Sequence, residues 1–170
     1  MTSLVTEFKV YTGANAATES PSGSATNLNV QSIDAYDSTN TDFMSNLIAN
    51  PTTGTNYSYE RIWRMKFTGT FNLIDNIKVY VSSGQLTDAN MALNAGITTT
   101  PSTPVFTASS VAITAIPTTS GTALEPTPAG GITNSPSYSD YIYMQLKVPS
   151  SVTVIGSIGV LTISVEYNIQ

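Results

Sequence analysis

Apolar residues recur at every second position in four separate stretches of this chain, while the three-and-four rhythm of an amphipathic helix is nearly absent. In Tyr59–Thr68, Trp63, Met65 and Phe67 share one parity, and Glu60, Arg64 and Lys66 share the other. In Ile74–Ser82, Ile77, Val79 and Val81 oppose Lys78 and Tyr80. In Asp140–Val148, Ile142, Met144, Leu146 and Val148 oppose Tyr141, Tyr143, Gln145 and Lys147. In Val160–Ile169, Leu161, Ile163, Val165 and Tyr167 oppose Thr162, Ser164 and Glu166. Successive side chains of a strand point to opposite faces, so each stretch reads as a strand with one face on a core. The alternation predicts a common core for Trp63, Met65, Phe67, Ile77, Val79, Ile142, Met144, Leu146, Leu161, Ile163 and Val165.

The rest of the chain reads in the same way, with less contrast. Leu4–Tyr11 and Leu28–Ile33 read as further strands, and residues 1–27 also suit a partly extended N-terminal arm. Phe43–Ile48 fits either a short strand or a helical turn, and Asn50-Pro51 opens a loop. Thr87–Leu93 is the one helix expected, with Thr87 or Asp88 as N-cap and Gly96 beyond its end. Residues 97–137 are rich in Thr, Ser and Pro. They read as long loops with short edge strands at Val105–Thr107 and Val111–Ile116, rather than a mucin-like stalk, because Val111, Ile113 and Ala115 still alternate and Ile116-Pro117 ends a strand. The expected fold is one all-β domain over residues 1–170, an antiparallel β-sandwich of about eight strands with long Ser/Thr/Pro-rich loops. Jelly-roll and immunoglobulin-like topologies both satisfy the pattern.

Composition narrows the chemistry. There is no Cys and no His in the 170 residues. This removes disulfides, thiolate nucleophiles, the Ser-His-Asp arrangement and nearly every catalytic zinc site. Lys66, Lys78 and Lys147 lie on polar strand faces, where a solvated ammonium is expected rather than a base for a serine. No two carboxylates are brought together by the pattern, so no enzyme and no cofactor are expected. Asp34, Asp37 and Asp42 form the densest acidic stretch, but their spacing is not that of a calcium loop; a turn-forming Asp/Asn segment is expected, and no metal. Gly156–Gly159 lacks the Lys and following helix of a phosphate loop. Net charge −5 with six Lys and Arg argues against nucleic acid as partner. The N-terminus shows neither a basic nor an apolar leader region, and Val152–Val165 is too rich in Gly, Ser and Thr to span a bilayer, so no membrane is expected.

Two surface features stand out. "RIWRMKF", residues 61–67, holds half of the chain's cations. Arg64 and Lys66 share a face, while Arg61, of the other parity, starts the strand where a long side chain reaches water. Either Arg64 and Lys66 form a solvated ladder, with Glu60 pairing to Arg64, or they join Lys78 in a positive patch that orients an acidic protein on a partner. Tyr141 and Tyr143 share the outward face of their strand, which suits a protein interface or a sugar platform, or else a second layer that packs over them. The candidate partner-binding patch is therefore Arg64, Lys66, Lys78, Tyr141 and Tyr143. Asn56 heads a glycosylation sequon, Asn-Tyr-Ser, that has meaning on a secretory route alone.

The order "YERIWRMKFTGTFNLIDNIKVYVSSG", a Thr/Pro-rich middle with "IPTTSGTAL", then "YSDYIYMQLKV" and a terminal "IGVLTISVEYNIQ" resembles small β-sandwich structural proteins of tailed bacteriophages. The resemblance covers most of residues 57–169 and is a pattern of strands and loops, so it carries over no site residue. It implies a non-enzymatic virion protein, assembled in the host cytoplasm, that decorates or cements the capsid. Its partner would be the major capsid protein or another virion subunit, and it would act as a homo-oligomer, a trimer about a symmetry axis. The alternative is a carbohydrate-binding or adhesive module on a cell surface or phage tail. Because the Asp34–Asp42 segment lacks calcium spacing, chelation with EDTA leaves the melting temperature unchanged in thermal unfolding; a drop of several degrees would make that loop a calcium site.

Overall fold

The structure, a computed structural model, describes residues 4–22, 28, 30–34, 47–153 and 159–170. It is an all-β, antiparallel sandwich. The strands are β1 (Val5–Thr12), β2 (Thr18–Glu19), β3 (Thr55–Tyr57), β4 (Arg61–Thr68), β5 (Ile74–Gly84), β6 (Ala92–Thr98), β7 (Thr114–Ala115), β8 (Ser137–Tyr138), β9 (Tyr141–Pro149) and β10 (Leu161–Ile169). The larger sheet runs β2-β1-β4-β9-β6-β7, with β3 also on β9 and β8 also on β4; the smaller pairs β10 with β5. Leu124 and Ile132 extend the smaller sheet as single bridges on β5.

The core lies between the sheets and contains the expected set. Trp63, Met65, Phe67, Ile77, Val79, Ile142, Met144 and Leu146 are buried in one cluster, with Leu161, Ile163 and Val165 packed against it. Phe8 of β1 stacks at a tilt on Trp63, 4.7 Å between centroids, and Phe67 meets Tyr167 edge to face at 5.1 Å. Ile74, by parity an outward residue, is also fully buried. Asn76 at φ 50° explains it: the register between β5 and β10 slips there, and the extra residue turns both Ile74 and Ile77 inward.

Two further bulges shape the larger sheet. Segments 55–68 and 137–149 run antiparallel as β3-β4 against β8-β9. Ser58 faces Leu146, donating its N–H to Leu146 O and accepting the Leu146 N–H on its hydroxyl, both at 3.0 Å. Arg61 faces Met144, so Tyr59 and Glu60 together oppose Gln145 alone. The register is then restored. Trp63 faces Ile142, while Ser139 meets Met65 through N–H to O at 2.9 Å and hydroxyl to N–H at 3.0 Å, so Asp140 and Tyr141 together oppose Arg64. In both bulges a fully buried serine hydroxyl replaces the missing ladder acceptor and itself donates to the next carbonyl, Tyr59 O or Asp140 O at 2.9 Å.

Several expectations change. Thr87–Leu93 is not a helix: Asp88 Oδ1 accepts the Asn90 N–H at 2.8 Å to close a turn, its Oδ2 accepts the Thr153 N–H at 2.8 Å, and the chain enters β6. Leu93 and Ala95 are buried with strand spacing, so core packing overrode the helix signal. The described part of Leu28–Ile33 is irregular, although Val30 is buried in the core and Gln31 O accepts the Tyr59 N–H. Of Val111–Ile116 only Thr114–Ala115 is strand, and Val105–Thr107 is irregular. Val5–Thr12 and Thr18–Glu19, inside the segment 1–27 that also suits an N-terminal arm, are strands of the large sheet. Phe43–Asn46, Asp37, Asp42 and Gly156 lie outside the described residues.

Trp63 makes the largest fully buried contribution, and its indole N–H lies 3.1 Å from Met144 Sδ. Replacing it with Ala costs about 3–5 kcal/mol of unfolding free energy, measured as a fall in the denaturant midpoint with an unchanged slope.

Candidate functional site

The outer face of the large sheet divides into a covered half and an open half. Residues 101–113 strap over the covered half. Gln145 sews the strap down: its amide nitrogen donates to Ser58 O at 2.9 Å and Thr107 O at 2.7 Å, and its oxygen accepts the Ser109 N–H at 3.2 Å. Glu60 exchanges two bonds with Val105, donating its backbone N–H to Val105 O at 2.9 Å and accepting the Val105 N–H on Oε2 at 3.1 Å. The Tyr143 hydroxyl accepts the Ser102 N–H at 2.6 Å. Gly96 lets the strap lie close, since a Cβ there would stand 2.4 Å from Ala112 O. Tyr143 and Ile62, neighbours across β4 and β9, form a second small core with Tyr11 and Ala16.

Tyr143 is thus completely buried and forms no part of a surface patch. Of the two readings of the outward tyrosines, the covering layer holds for Tyr143. Arg61 is also buried, at 2% exposure, rather than reaching water. Glu60 does not pair with Arg64; it is committed to the strap. Its carboxyl is pushed above the ordinary 4.5 by burial, with Ser109 and the Val105 N–H opposing. Oε1 has no hydrogen-bond partner among the described residues.

The open half is built around Arg64. Its guanidinium lies between two phenol rings, with Cζ 4.7 Å from the Tyr138 centroid and 4.2 Å from that of Tyr141. The bulge at Asp140–Tyr141 makes this sandwich. In a regular strand Tyr138 and Tyr141 would face opposite sides; the extra residue brings both to the outer face. Arg64 Nε donates to Ser139 O at 2.6 Å, its one hydrogen bond to the described residues. The two Nη groups have no hydrogen-bond acceptor among the described residues. Lys66 stands opposite Tyr138 in register, with Nζ 5.6 Å from that ring.

Lys9 lies beside this cation pair but is spent internally. It is 1% exposed and pairs with Glu7 Oε2 at 3.2 Å and Glu19 Oε1 at 3.8 Å, donating also to Ser22 Oγ at 3.1 Å. Its hydrogen bond is the main cause that holds the Glu7 carboxyl below its ordinary value. Tyr11 donates to Glu19 Oε2 at 2.6 Å and meets Tyr141 edge-on at 5.4 Å. Burial and then Glu19 push the Tyr11 phenol far above its ordinary value, so it stays protonated and a hydrogen-bond donor. Burial also raises the Asp140 carboxyl, against the pull of Arg64.

Lys78 is elsewhere. It points from the outer face of the small sheet, on the other side of the sandwich, opposite Glu166 in register. The site therefore gathers Arg64, Lys66 and Tyr141 of the expected set, adds Tyr138, and excludes Lys78 and Tyr143. The signal for Tyr138 was its place three residues before Tyr141, which reads as the wrong face unless a bulge intervenes. Among the described residues no group of three Asp or Glu side chains could hold a metal ion. No protein-family model matches the sequence, and no curated protein or solved structure matches the chain.

Glu60 gives a test of the covered half. A carboxyl whose folded pKa is raised holds its proton more tightly folded than unfolded. Its charged form costs stability above that folded pKa, and the cost disappears as pH falls toward 4.5. Glu60→Gln is therefore at least as stable as the parent at pH 7, and its advantage shrinks between pH 7 and pH 4.5, read from thermal melts across that range.

Proposed function

We propose that this chain is a non-enzymatic structural protein of a bacteriophage virion, decorating or cementing the capsid shell through protein–protein contacts. The observation that supports a docking role is the Arg64 guanidinium, oriented between Tyr138 and Tyr141 with both Nη groups free of protein acceptors among the described residues. Arg and Tyr are the residues that concentrate binding energy at protein interfaces, and a pre-oriented guanidinium loses little freedom on binding. The acceptor it fits is a carboxylate, taken bidentately, on an acidic face of the major capsid protein or another virion subunit. Lys66 adds charge beside it, and the −5 charge of the whole chain keeps other surfaces from competing for that acidic face. The phage assignment itself rests on the strand-and-loop resemblance over residues 57–169, which also implies assembly in the host cytoplasm.

A sugar platform is less well supported, because one face of each of Tyr138 and Tyr141 is already turned to the guanidinium and Tyr143 is buried. The double variant Arg64→Glu with Lys66→Glu tests the docking role. It keeps a cooperative melt but loses binding to purified particles by roughly thirtyfold or more, about 2 kcal/mol for a residue at an interface centre. Parent binding also weakens from low to high salt. Unchanged binding by the folded variant would refute the assignment of this site.

A further inference from the structure

The sheets end in different ways. The large sheet stops at β2 and β7, two residues each, as edges that resist further pairing usually do. The free side of β5 is met by Leu124, Ile132 and Pro117. β10 is different: nine residues long, it pairs with β5 on one side and with no described residue on the other. It contains no Lys, Arg or Pro, the residues that ordinarily protect an edge. Exposed apolar side chains stand just before it and at its end, Val160 at 81% and Ile169 at 54%.

We infer that two copies of this chain pair through β10, antiparallel, across a two-fold axis at Val165. Val165 is the midpoint of Leu161–Ile169, so this register engages the whole strand. It sets Ile163 against Tyr167 and Leu161 against Ile169, placing apolar residues on apolar ones and covering Ile169. On the outer face it sets Thr162 against Asn168 and Ser164 against Glu166. A self-complementary patch of this kind is what a two-fold contact requires.

Charge favours a second copy as the occupant. Two chains of net charge −5 repel unless the surfaces that meet are close to neutral. Glu166 is the strand's one charge, and it is already bonded to Ser120 Oγ at 2.8 Å and to the Tyr80 hydroxyl. The Val165 axis keeps the two Glu166 side chains apart, each facing a serine. The pairing uses the small sheet and leaves the Arg64 face of the large sheet free, so it stands or falls separately from the docking site.

Sedimentation velocity over a concentration series, with single substitutions on the Cys-free chain, tests the pairing. The parent forms dimers. Ser164→Glu sets carboxylates opposite Glu166 twice by symmetry and weakens dimerisation by roughly tenfold, whereas Ser164→Lys retains or tightens it. Val165→Cys lies opposite itself within disulfide reach and crosslinks on mild oxidation. Thr162→Cys lies roughly 20 Å from its counterpart and does not crosslink. Melts confirm that each variant is folded. A parent that stays monomeric or sediments as a trimer overturns the inference, as does a dimer indifferent to the charge at Ser164. Slow hydrogen exchange at the outward amides of β10 in monomeric samples overturns it too, since another segment of the chain would then cover the edge.

Discussion

The polar face of the large sheet depends on two compensating bulges between segments 55–68 and 137–149. The first admits an extra residue at Tyr59–Glu60 and the second at Asp140–Tyr141. Each breaks the ladder at a buried point, where an unpaired backbone group costs about 1–3 kcal/mol. Ser58 and Ser139 meet that cost with the same device, a hydroxyl that accepts one backbone N–H and donates to the next carbonyl. Between the bulges the register is shifted by one residue, and beyond them it is restored. The first bulge faces Gln145 and anchors the strap over the sheet. The second faces Arg64 and builds the tyrosine sandwich.

The strap shows why a chain so poor in charge still buries polar side chains. Gln145, Glu60 and Tyr143 are each buried under residues 101–113, a segment with little regular structure and many backbone groups to satisfy. One glutamine supplies donor and acceptor to three points of the segment, Val105 O, Thr107 O and the Ser109 N–H. Such bonds contribute little apiece relative to water, but leaving their partners unmet beneath a covering layer is costly. They hold a Ser/Thr/Pro-rich stretch on the sheet without a strand of its own.

The crowding of cations in "RIWRMKF" resolves into three environments. Arg61 is buried on the core-side parity, Arg64 is fixed between aromatic rings, and Lys66 stands half-buried opposite Glu7 and Tyr138. One local run of charge therefore serves different ends because β4 is central. It is flanked by β1 on one side and by β8 and β9 on the other, and both of its faces are largely covered.

Alternation alone determined the all-β class, the long strands β1, β4, β5, β9 and β10, and the core residues on them, because a strand with one buried face writes its period directly into the sequence. It also placed Arg64, Lys66 and Tyr141 on one kind of face. It did not determine which polar faces stay open. Tyr143 and Gln145 alternate like surface residues, yet they lie beneath a strap contributed from some forty residues away, and no local pattern encodes that covering. Nor could it place Ile74 or Tyr138, whose parity is reversed by a single extra residue, or separate Lys78 from Arg64, which a strand pattern treats alike though they lie on opposite sides of the sandwich. The strand period follows from backbone geometry at each residue and is legible locally. Bulges, straps and the choice of sheet follow from which distant backbone groups meet, and the tertiary structure alone decides that.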